Sequence, residues 1–320
     1  MIIRHPVAKL TSGSRSLTSA EGGVVLVEAR LASGGEHDAM RAVLWSTSKL
    51  ANLAPGDPFA LAMGERDALE DVSAGEVTRA EVREGYVVID ALSHTAKLSR
   101  DRRSQSWEDQ TVGDIVRDML GSVQADEIDA SLRLPWFAVD VQRTIWSHLR
   151  ELAAVIGAEV GSSATGGVRF VPVNAAPNVH TLRRGADLVQ WQLAGYTQPD
   201  ARGARAYGAA SESGSAQWHW LRGDSASGAG GAIGNAIAGA LRTLDAADAV
   251  ATARQQRRSR RTVQGVVITS GSPKVRPGDV LTLEGVDGAP ATRWRVRTVT
   301  HRLDGSRGLA TTLGVEGAAA

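Results

Sequence analysis

The side chains best suited to chemistry lie scattered along this chain. Seven histidines stand at His5, His37, His94, His148, His180, His219 and His301. No two share the i, i+4 spacing that sets imidazoles on one helical face for zinc, and no His-x-His pair would project from a strand. Cysteine is absent, which removes disulfides, thiolate nucleophiles and cysteine-ligated zinc together. A Ser/His/Asp triad assembles from distant positions, but the G-x-S-x-G elbow is missing, and Ser213-Gly214-Ser215 sits in low-complexity sequence. Carboxylates for glycoside or cell-wall hydrolysis exist at Glu76 and Glu81 and in Asp126-Glu127-Ile128-Asp129, yet acids of this kind are ordinarily just solvated. Gly228 to Gly234 imitates a phosphate loop without the preceding strand of a dinucleotide fold or the Gly-Lys-Ser/Thr of a Walker loop. The residues therefore assign no catalytic, cofactor-binding or metal-ligating position.

Two clusters suit binding better than catalysis. Trp218-His219-Trp220 would stack on a sugar or nucleobase, but strand alternation puts both indoles on one face, as for an anchor on a core. Arg254, Arg257, Arg258, Arg260 and Arg261 would meet nucleic acid or an acidic protein face. The formal net charge of +1 favours the plainer reading, a solvated helix end set against its own dipole, with no specific nucleic acid.

The elements that must position any site are mostly strands. The length of 320 residues suits two to three domains at roughly 100–200 residues each, and the 42% apolar content permits ordinary cores. The N-terminal MIIRHPVAKL lacks the apolar stretch and cleavage site of a signal peptide, and no run approaches the ~20 apolar residues of a membrane span. The expectation is a soluble protein that folds in the cytoplasm without membrane insertion. Lysine occurs only at 9, 49, 97 and 274 while arginine is abundant, which suits a GC-rich bacterial or phage genome.

One stretch organises the rest. In Val275 to His301, Pro277 presets φ for a tight turn, Gly278 supplies the positive φ of a type II turn, and Asp279 caps it. Val280 to Leu283 follows as a strand, Gly285 and Asp287-Gly288 turn the chain, and Trp294, Val296 and Val299 mark the return. Arg295 and Arg297 alternate with these apolar residues, which predicts one buried and one wet face. Pro55-Gly56-Asp57 repeats the design before Phe59 and Leu61, with Val77 to Val82 standing where the later strand stands. Two related β modules are the expectation, their corners in two look-alike closed sheets and not in one shared sheet.

In order, residues 1–100 predict a first β-barrel, with strands over Val24–Ala29, Met40–Ser46, Phe59–Met63, Gly75–Val82 and Tyr86–Leu92. Residues 101–180 predict an inserted α/β module. A polar connector leads to Trp107 and a helix capped by Thr111, with Val112, Ile115, Val116 and Met119 on one face and an end near Gly121. A second helix over about 141–156 carries Ile145, Leu149, Leu152 and Ile156 and stops at Gly157, and a hairpin through Val168 to Val173 follows. Residues 181–320 predict a second β-barrel, built from Leu188–Leu193, Ala204–Ala209, Thr262–Thr269, the opening hairpin and Ala310–Val315. Its inserts are a mobile Gly/Ser-rich loop over 203–239 and a helix over about 237–259.

This order of elements resembles the phage late control protein D family, the central hub of contractile-tail baseplates, akin to the hub part of type VI secretion spike proteins. The resemblance spans nearly the whole chain. It is carried by Pro55-Gly56-Asp57, Tyr86 to Ala91, Leu98-Ser99-Arg100, Trp107, Thr111 to Arg117, Trp146 to Ala153, Gly157 and Val168 to Phe170. It continues through Leu182 to Gly185, the Ala/Arg-rich helix, Val263-Gln264-Gly265, Pro273, Pro277 to Asp279, Val299 to His301 and Thr311 to Leu313. It implies a fold that is mainly β with an α+β insertion, in which two similar β-barrels form a tube-like hub. It implies a non-enzymatic homotrimer, whose six barrels match a sixfold tail tube on one face and a threefold spike on the other. Spike, tail tube, baseplate wedge and tape measure proteins are the implied partners. The implied setting is a phage tail, tailocin or injection-particle baseplate assembled in the bacterial cytoplasm. Secretion-system relatives continue into an oligonucleotide-binding-like domain and a β-helical spike, so a chain stopping at Ala320 leaves the spike to a separate polypeptide. The competing reading is a cell-wall-degrading tail component, a peptidoglycan hydrolase.

Overall fold

The computed structural model describes residues 5–173, 177–196 and 261–318, and between them 205–207, 226–227, 235–237, 252, 253, 256, 257 and 260. The Trp218–Trp220 cluster, Arg254 and Arg258 of the arginine run, and nearly all of the expected loop and helix over 203–259 lie outside the described residues. Thr252, Ala253, Gln256, Arg257 and Arg260 are helical.

The chain opens with β1 (Pro6–Ser12) and β2 (Arg15–Thr18), followed by β3 (Val24–Ala32), β4 (Ala39–Trp45), β5 (Pro58–Glu65), β6 (Ala68–Arg83) and β7 (Tyr86–Ser93). The first pair was not legible in the N-terminal residues. Alternation is the reason for most of the rest: β7 buries Val87, Ile89 and Ala91 and leaves their neighbours half-exposed. In β3 the apolar run alternates too, with Val25 exposed, so it is not the doubly buried strand its composition suggests.

The inserted part holds β8 (Gln105–Thr111), α1 (Val112–Leu120), β9 (Ala125–Ile128), β10 (Arg133–Val139), α2 (Ile145–Ile156), β11 (Ala158–Ser162) and β12 (Val168–Pro172). Thr111 Oγ1 accepts the Asp114 N–H at 3.2 Å, as the spacing predicts. The second helix begins at Ile145, not near 141, because Thr144 caps it and accepts the Ser147 N–H at 3.2 Å. The polar stretch read as a connector is partly strand: β8 pairs with β10, and Trp107 stacks on Phe137 with centroids 5.9 Å apart. This part has its own core, from Leu98 through Met119, Leu149 and Phe170.

Then come β13 (Val179–Arg183), β14 (Leu188–Gly195), the short strands β15 (Arg205–Tyr207), β16 (Ala226–Ser227) and β17 (Asn235–Ile237), and β18 (Val263–Thr269), β19 (Val280–Glu284), β20 (Arg293–Asp304) and β21 (Gly308–Gly317). The fold is mainly β, as expected. The separateness of its two sheets is corrected, however. Thirteen strands form one hydrogen-bonded sheet in the order β14-β18-β21-β20-β3-β4-β7-β6-β5-β1-β2, with β19 and β13 attached beside β20. The junction is antiparallel pairing of β20 with β3, from Thr298 opposite Ala32 to Asp304 opposite Leu26. One core runs beneath both halves, from Leu10 and Val27 to Trp294 and Leu313. An unpaired edge beside a second strand of matching twist is satisfied by joining it, and no local pattern records that choice.

Candidate functional site

The two Pro-Gly-Asp corners are the same structure. At the first, the Asp57 N–H donates to the Ala54 carbonyl at 3.1 Å; at the second, Asp279 donates to Arg276 at 3.2 Å. Gly56 and Gly278 have φ of 97° and 102°, as the third position of a type II turn requires. Asp57 Oδ2 accepts the Ala54 N–H at 2.9 Å, and Asp279 Oδ2 accepts that of Arg276 at 2.9 Å. Each corner is also stitched to the following long strand. Gly56 N–H donates to Val77 O and Val77 N–H to Asp57 O, at 2.8 and 2.9 Å; the Gly278, Val296 and Asp279 counterparts are both 2.8 Å.

The likeness extends through five strands. The ladder β3-β4-β7-β6-β5 matches β14-β18-β21-β20-β19 strand for strand. Irregularities fall at corresponding places: between Val24 and Leu26 and between Leu188 and Gln190, and again between Val77 and Arg79 and between Val296 and Thr298. Val77 lies opposite Ala91 as Val296 lies opposite Val315, and Glu76 opposite Pro58 as Arg295 opposite Val280. Such bulges are built-in features of a ladder, so their coincidence marks a true structural repeat. The repeat breaks at its outer strand, because β1 runs antiparallel to β5 whereas β13 runs parallel to β19.

The inserted part docks against the second corner and the loop after β3. Trp146 Nε1 donates to the Gly35 carbonyl at 2.8 Å, and its indole lies 4.5 Å from the His37 ring. Ser93, Thr95 and Ser162 share hydroxyl contacts of 2.8–2.9 Å. A cleft of about 320 Å³ remains between the β11–β12 hairpin and the corner, lined by Arg169, Arg276 and Arg295 with Glu127, Glu159 and Asp279. Arg295 was expected on a wet face. It is instead only 5% exposed, with Nη2 2.5 Å from Glu159 and Nη1 3.6 Å from Glu316. Its carboxylate partners come from the inserted part and the last strand, so the pattern of β20 alone could not place it. Burial raises the Glu316 pKa even beside two guanidinium groups.

Burial shifts other titratable groups of the sheet and its loops. Burial lifts the Asp38 carboxyl to about 7, against the pull of Arg276. Burial first, and Arg276 second, depresses His301 to about 3; its Nδ1 lies 2.9 Å from Thr311 Oγ1. Burial also lowers His37 to about 4, and its ring nitrogens meet Thr95 and Ser99 at 2.9 and 2.7 Å. His180 Nε2 lies 2.9 Å from Asp279.

The acids considered for hydrolysis are dispersed. Glu76 pairs with Lys97 at 2.6 Å, Glu81 with Arg79 and with Arg83 at 2.6 Å, and Glu127 with Arg169 at 2.6 Å, while Asp126 accepts hydrogen bonds from Ser163 and Thr165. Among the described residues no group of three or more His, Asp or Glu is arranged to hold a metal, and no helix is long and apolar enough to cross a membrane.

Among the described residues, two of the strand edges that the sheet leaves open lie on β6 and β14. From Thr78 to Arg83, β6 has β7 on one side and, among the described residues, no strand on the other. At the far end of the sheet, β14 has β18 as its one strand partner among the described residues, beside a single bridge from Arg184 to Leu188. Apolar groups project there: Val82 is 78% exposed and Val189 63%.

No family model matches this chain, and no curated protein matches it. Solved structures do. A tail protein from Neisseria meningitidis superposes with a TM-score of 0.71 at 10% identity, over 98% of this chain and 96% of that one. A prophage MuSo2 tail protein from Shewanella oneidensis gives 0.66 at 11%, over 97% of each chain. An Escherichia coli component of the type VI secretion system gives 0.63 at 12%, over 97% of this chain and 77% of that one. The chain therefore has the fold of phage tail proteins, the fold that the sequence resemblance implied.

Proposed function

We propose that this protein is a structural hub of a contractile-tail baseplate, in a phage, tailocin or related injection system. Three copies join the sixfold tail tube to a threefold spike. The carrying observation is the internal repeat: two five-strand ladders with the same order, register, bulges and corner turn in one chain. That the two share one sheet removes the argument from separate barrels. It leaves the argument from equivalence, since three chains still present six like ladders around an axis. The fold shared with tail proteins, and with an Escherichia coli protein described as a type VI secretion component, supports the same setting.

The division into residues 1–100, 101–180 and 181–320 belongs to this reading, with the middle part as an ornament on the ring. Spike, tube, wedge and tape measure proteins are the partners, and assembly proceeds in the bacterial cytoplasm. The role is non-enzymatic, a reading supported by the engagement of Glu76 with lysine, of Glu81 and Glu127 with arginine, and of Asp126 with hydroxyl partners. Light scattering of the purified chain, alone and with its spike protein, is expected to give the mass of three copies. A stable monomer even with the spike present would overturn the proposal.

A further inference from the structure

The internal repeat supplies a control for the cleft beside the second corner. The two corners share one backbone, yet their side chains differ. Ala54 begins the first turn where Arg276 begins the second, and Glu76 lies opposite Pro58 where Arg295 lies opposite Val280. The first corner folds without either arginine, so the turn itself requires neither. Nothing stands within 4 Å of a Cβ placed at Gly56, whereas one at Gly278 would meet Arg169 Nη1 at 3.2 Å and Arg295 Nη2 at 3.7 Å. Two guanidinium groups, one from β12 and one from β20, thus converge over a residue that has no side chain.

The ion pairs of the cleft leave cationic donors unspent. Glu127 accepts Arg169 Nε at 2.6 Å, and Glu159 accepts Arg295 Nη2 at 2.5 Å. Asp279 is engaged by its own turn, accepting the Arg276 N–H, and lies 2.9 Å from His180 Nε2. The Arg276 guanidinium has no carboxylate oxygen within 4 Å among the described residues. Its Nη1 donates to the Val72 carbonyl at 3.0 Å, and its Nη2 has no partner. Arg169 Nη1 and Nη2 have none among the described residues, and Arg295, only 5% exposed, keeps Nε without a hydrogen bond. An unpartnered charged donor in the interior carries a desolvation cost, and native folds ordinarily meet such groups with water or an ion. Burial lowers the Arg276 pKa, Asp38 and Asp279 oppose it, and the like charge of Arg169 lowers it further. A negative group between the two arginines would relieve both.

We propose that this cleft binds a phosphoryl group, held by Arg169 and Arg276 beside Gly278, with Arg295 reinforcing the site through its charge. Guanidinium forks match the oxygens of a tetrahedral oxyanion, and donors arriving from different elements suit it better than they suit a planar carboxylate. The cleft, about 320 Å³, is larger than the group itself, so inorganic phosphate and the end of a phosphate monoester both fit. Arg169 belongs to the inserted part and Arg276 to the corner, so the bound group would clamp one on the other. The inference stands apart from the trimer reading, since every contact lies within one chain.

The purified chain is titrated with sodium phosphate, and in parallel with glycerol 3-phosphate, against sodium chloride at matched ionic strength. Phosphorus NMR linewidths report binding, and thermal melting reports stabilisation. The expected result is saturable line broadening with a saturable rise in melting temperature. Arg276→Gln and Arg169→Gln should each weaken binding about tenfold or more, the loss of a hydrogen bond to a charged group. Arg169 is partly exposed, so its variant keeps the test readable if Arg276→Gln fails to fold. Glu127→Gln removes the carboxylate that competes for Arg169, and binding should tighten several-fold. Arginines that serve only the Glu127 and Glu159 pairs predict a lower melting temperature and no gain in affinity, and that result would overturn the site. So would equal binding in the wild type and both arginine variants, or a melting rise that never saturates, as phosphate gives any protein by exclusion from its surface. Which of the two salts broadens decides between the free ion and a phosphate ester, and broadening of neither overturns the proposal.

Discussion

Replacing Gly278 with alanine or valine tests the corner on which the repeat is recognised, and Gly56 is its internal standard. Both glycines sit near the same φ, 102° and 97°, where a side chain is strained by about 1–2 kcal/mol. Their surroundings differ. A Cβ at Gly56 would have no atom within 4 Å, whereas one at Gly278 would lie 3.2 Å from Arg169 Nη1. Gly56→Ala therefore reports backbone strain alone. Gly278→Ala adds displacement of a guanidinium whose pair with Glu127 is partly exposed and worth about 0–1 kcal/mol. The expected costs are about 1–2 and about 1–3 kcal/mol, and Gly278→Val exceeds both, since a branched β-carbon tolerates positive φ least. At about 2–4 °C per kcal/mol for domains of 150–250 residues, thermal unfolding resolves these losses. Gly305→Ala is the control: it has ordinary φ and open space, so its melting should stay within a degree or two or rise slightly, at about 0.4–1 kcal/mol of stabilisation. Unchanged melting and assembly in Gly278→Val would refute the type II turn, and equal losses at the two corners would show that Arg169 contributes nothing.

Two further substitutions probe buried charge, one at the joint between the inserted part and the sheet and one in the loop after β3. Arg295→Ala takes one of two guanidinium partners from the buried Glu316 and removes the 2.5 Å partner of the partly buried Glu159, an expected loss of up to about 3–5 kcal/mol. The Glu316 carboxyl is already raised by burial, so this loss should shrink as pH falls and Glu316 takes up its proton sooner than an ordinary glutamate; a loss independent of pH would refute the pairing. Asp38 has a folded pKa of about 7 against 3.8, so the folded state holds its proton more tightly, and stability falls as pH rises from about 4 to 7. His301, depressed to about 3 from 6.5, acts oppositely: the unfolded chain takes the proton first, and stability falls as pH drops below 6.5. The two slopes offset each other between about pH 4 and 6.5, so Asp38→Asn should expose a steeper acid loss in urea titrations across that range. An unaltered pH profile would mean that Asp38 is ionised in the fold.

The α1 cap, the turn at each Pro-Gly-Asp and most of the strands were legible in the residues, because φ preferences and side-chain alternation act over a few positions. The β8 strand was not: Gln105 to Thr111 is nearly all polar, and it is a strand only because Arg133 to Val139 lies beside it with Phe137 over Trp107. Arg295 looked wet for the same reason, since its two carboxylates are 136 and 21 positions away. The candidate surface was the least visible part. No pattern in β6 or β14 distinguishes an edge left open from one already paired, because a backbone N–H carries no record of its partner.

By itself the sequence determined a mainly β chain holding two copies of one corner, since a proline, a glycine and an aspartate in that order restrict the backbone wherever they occur. Only the tertiary structure decided that the two ladders share one sheet through β3 and β20, and which strand edges remain for a neighbour. Hydrogen bonding between strands is indifferent to separation along the chain, and its outcome depends on which edges the folded core brings side by side.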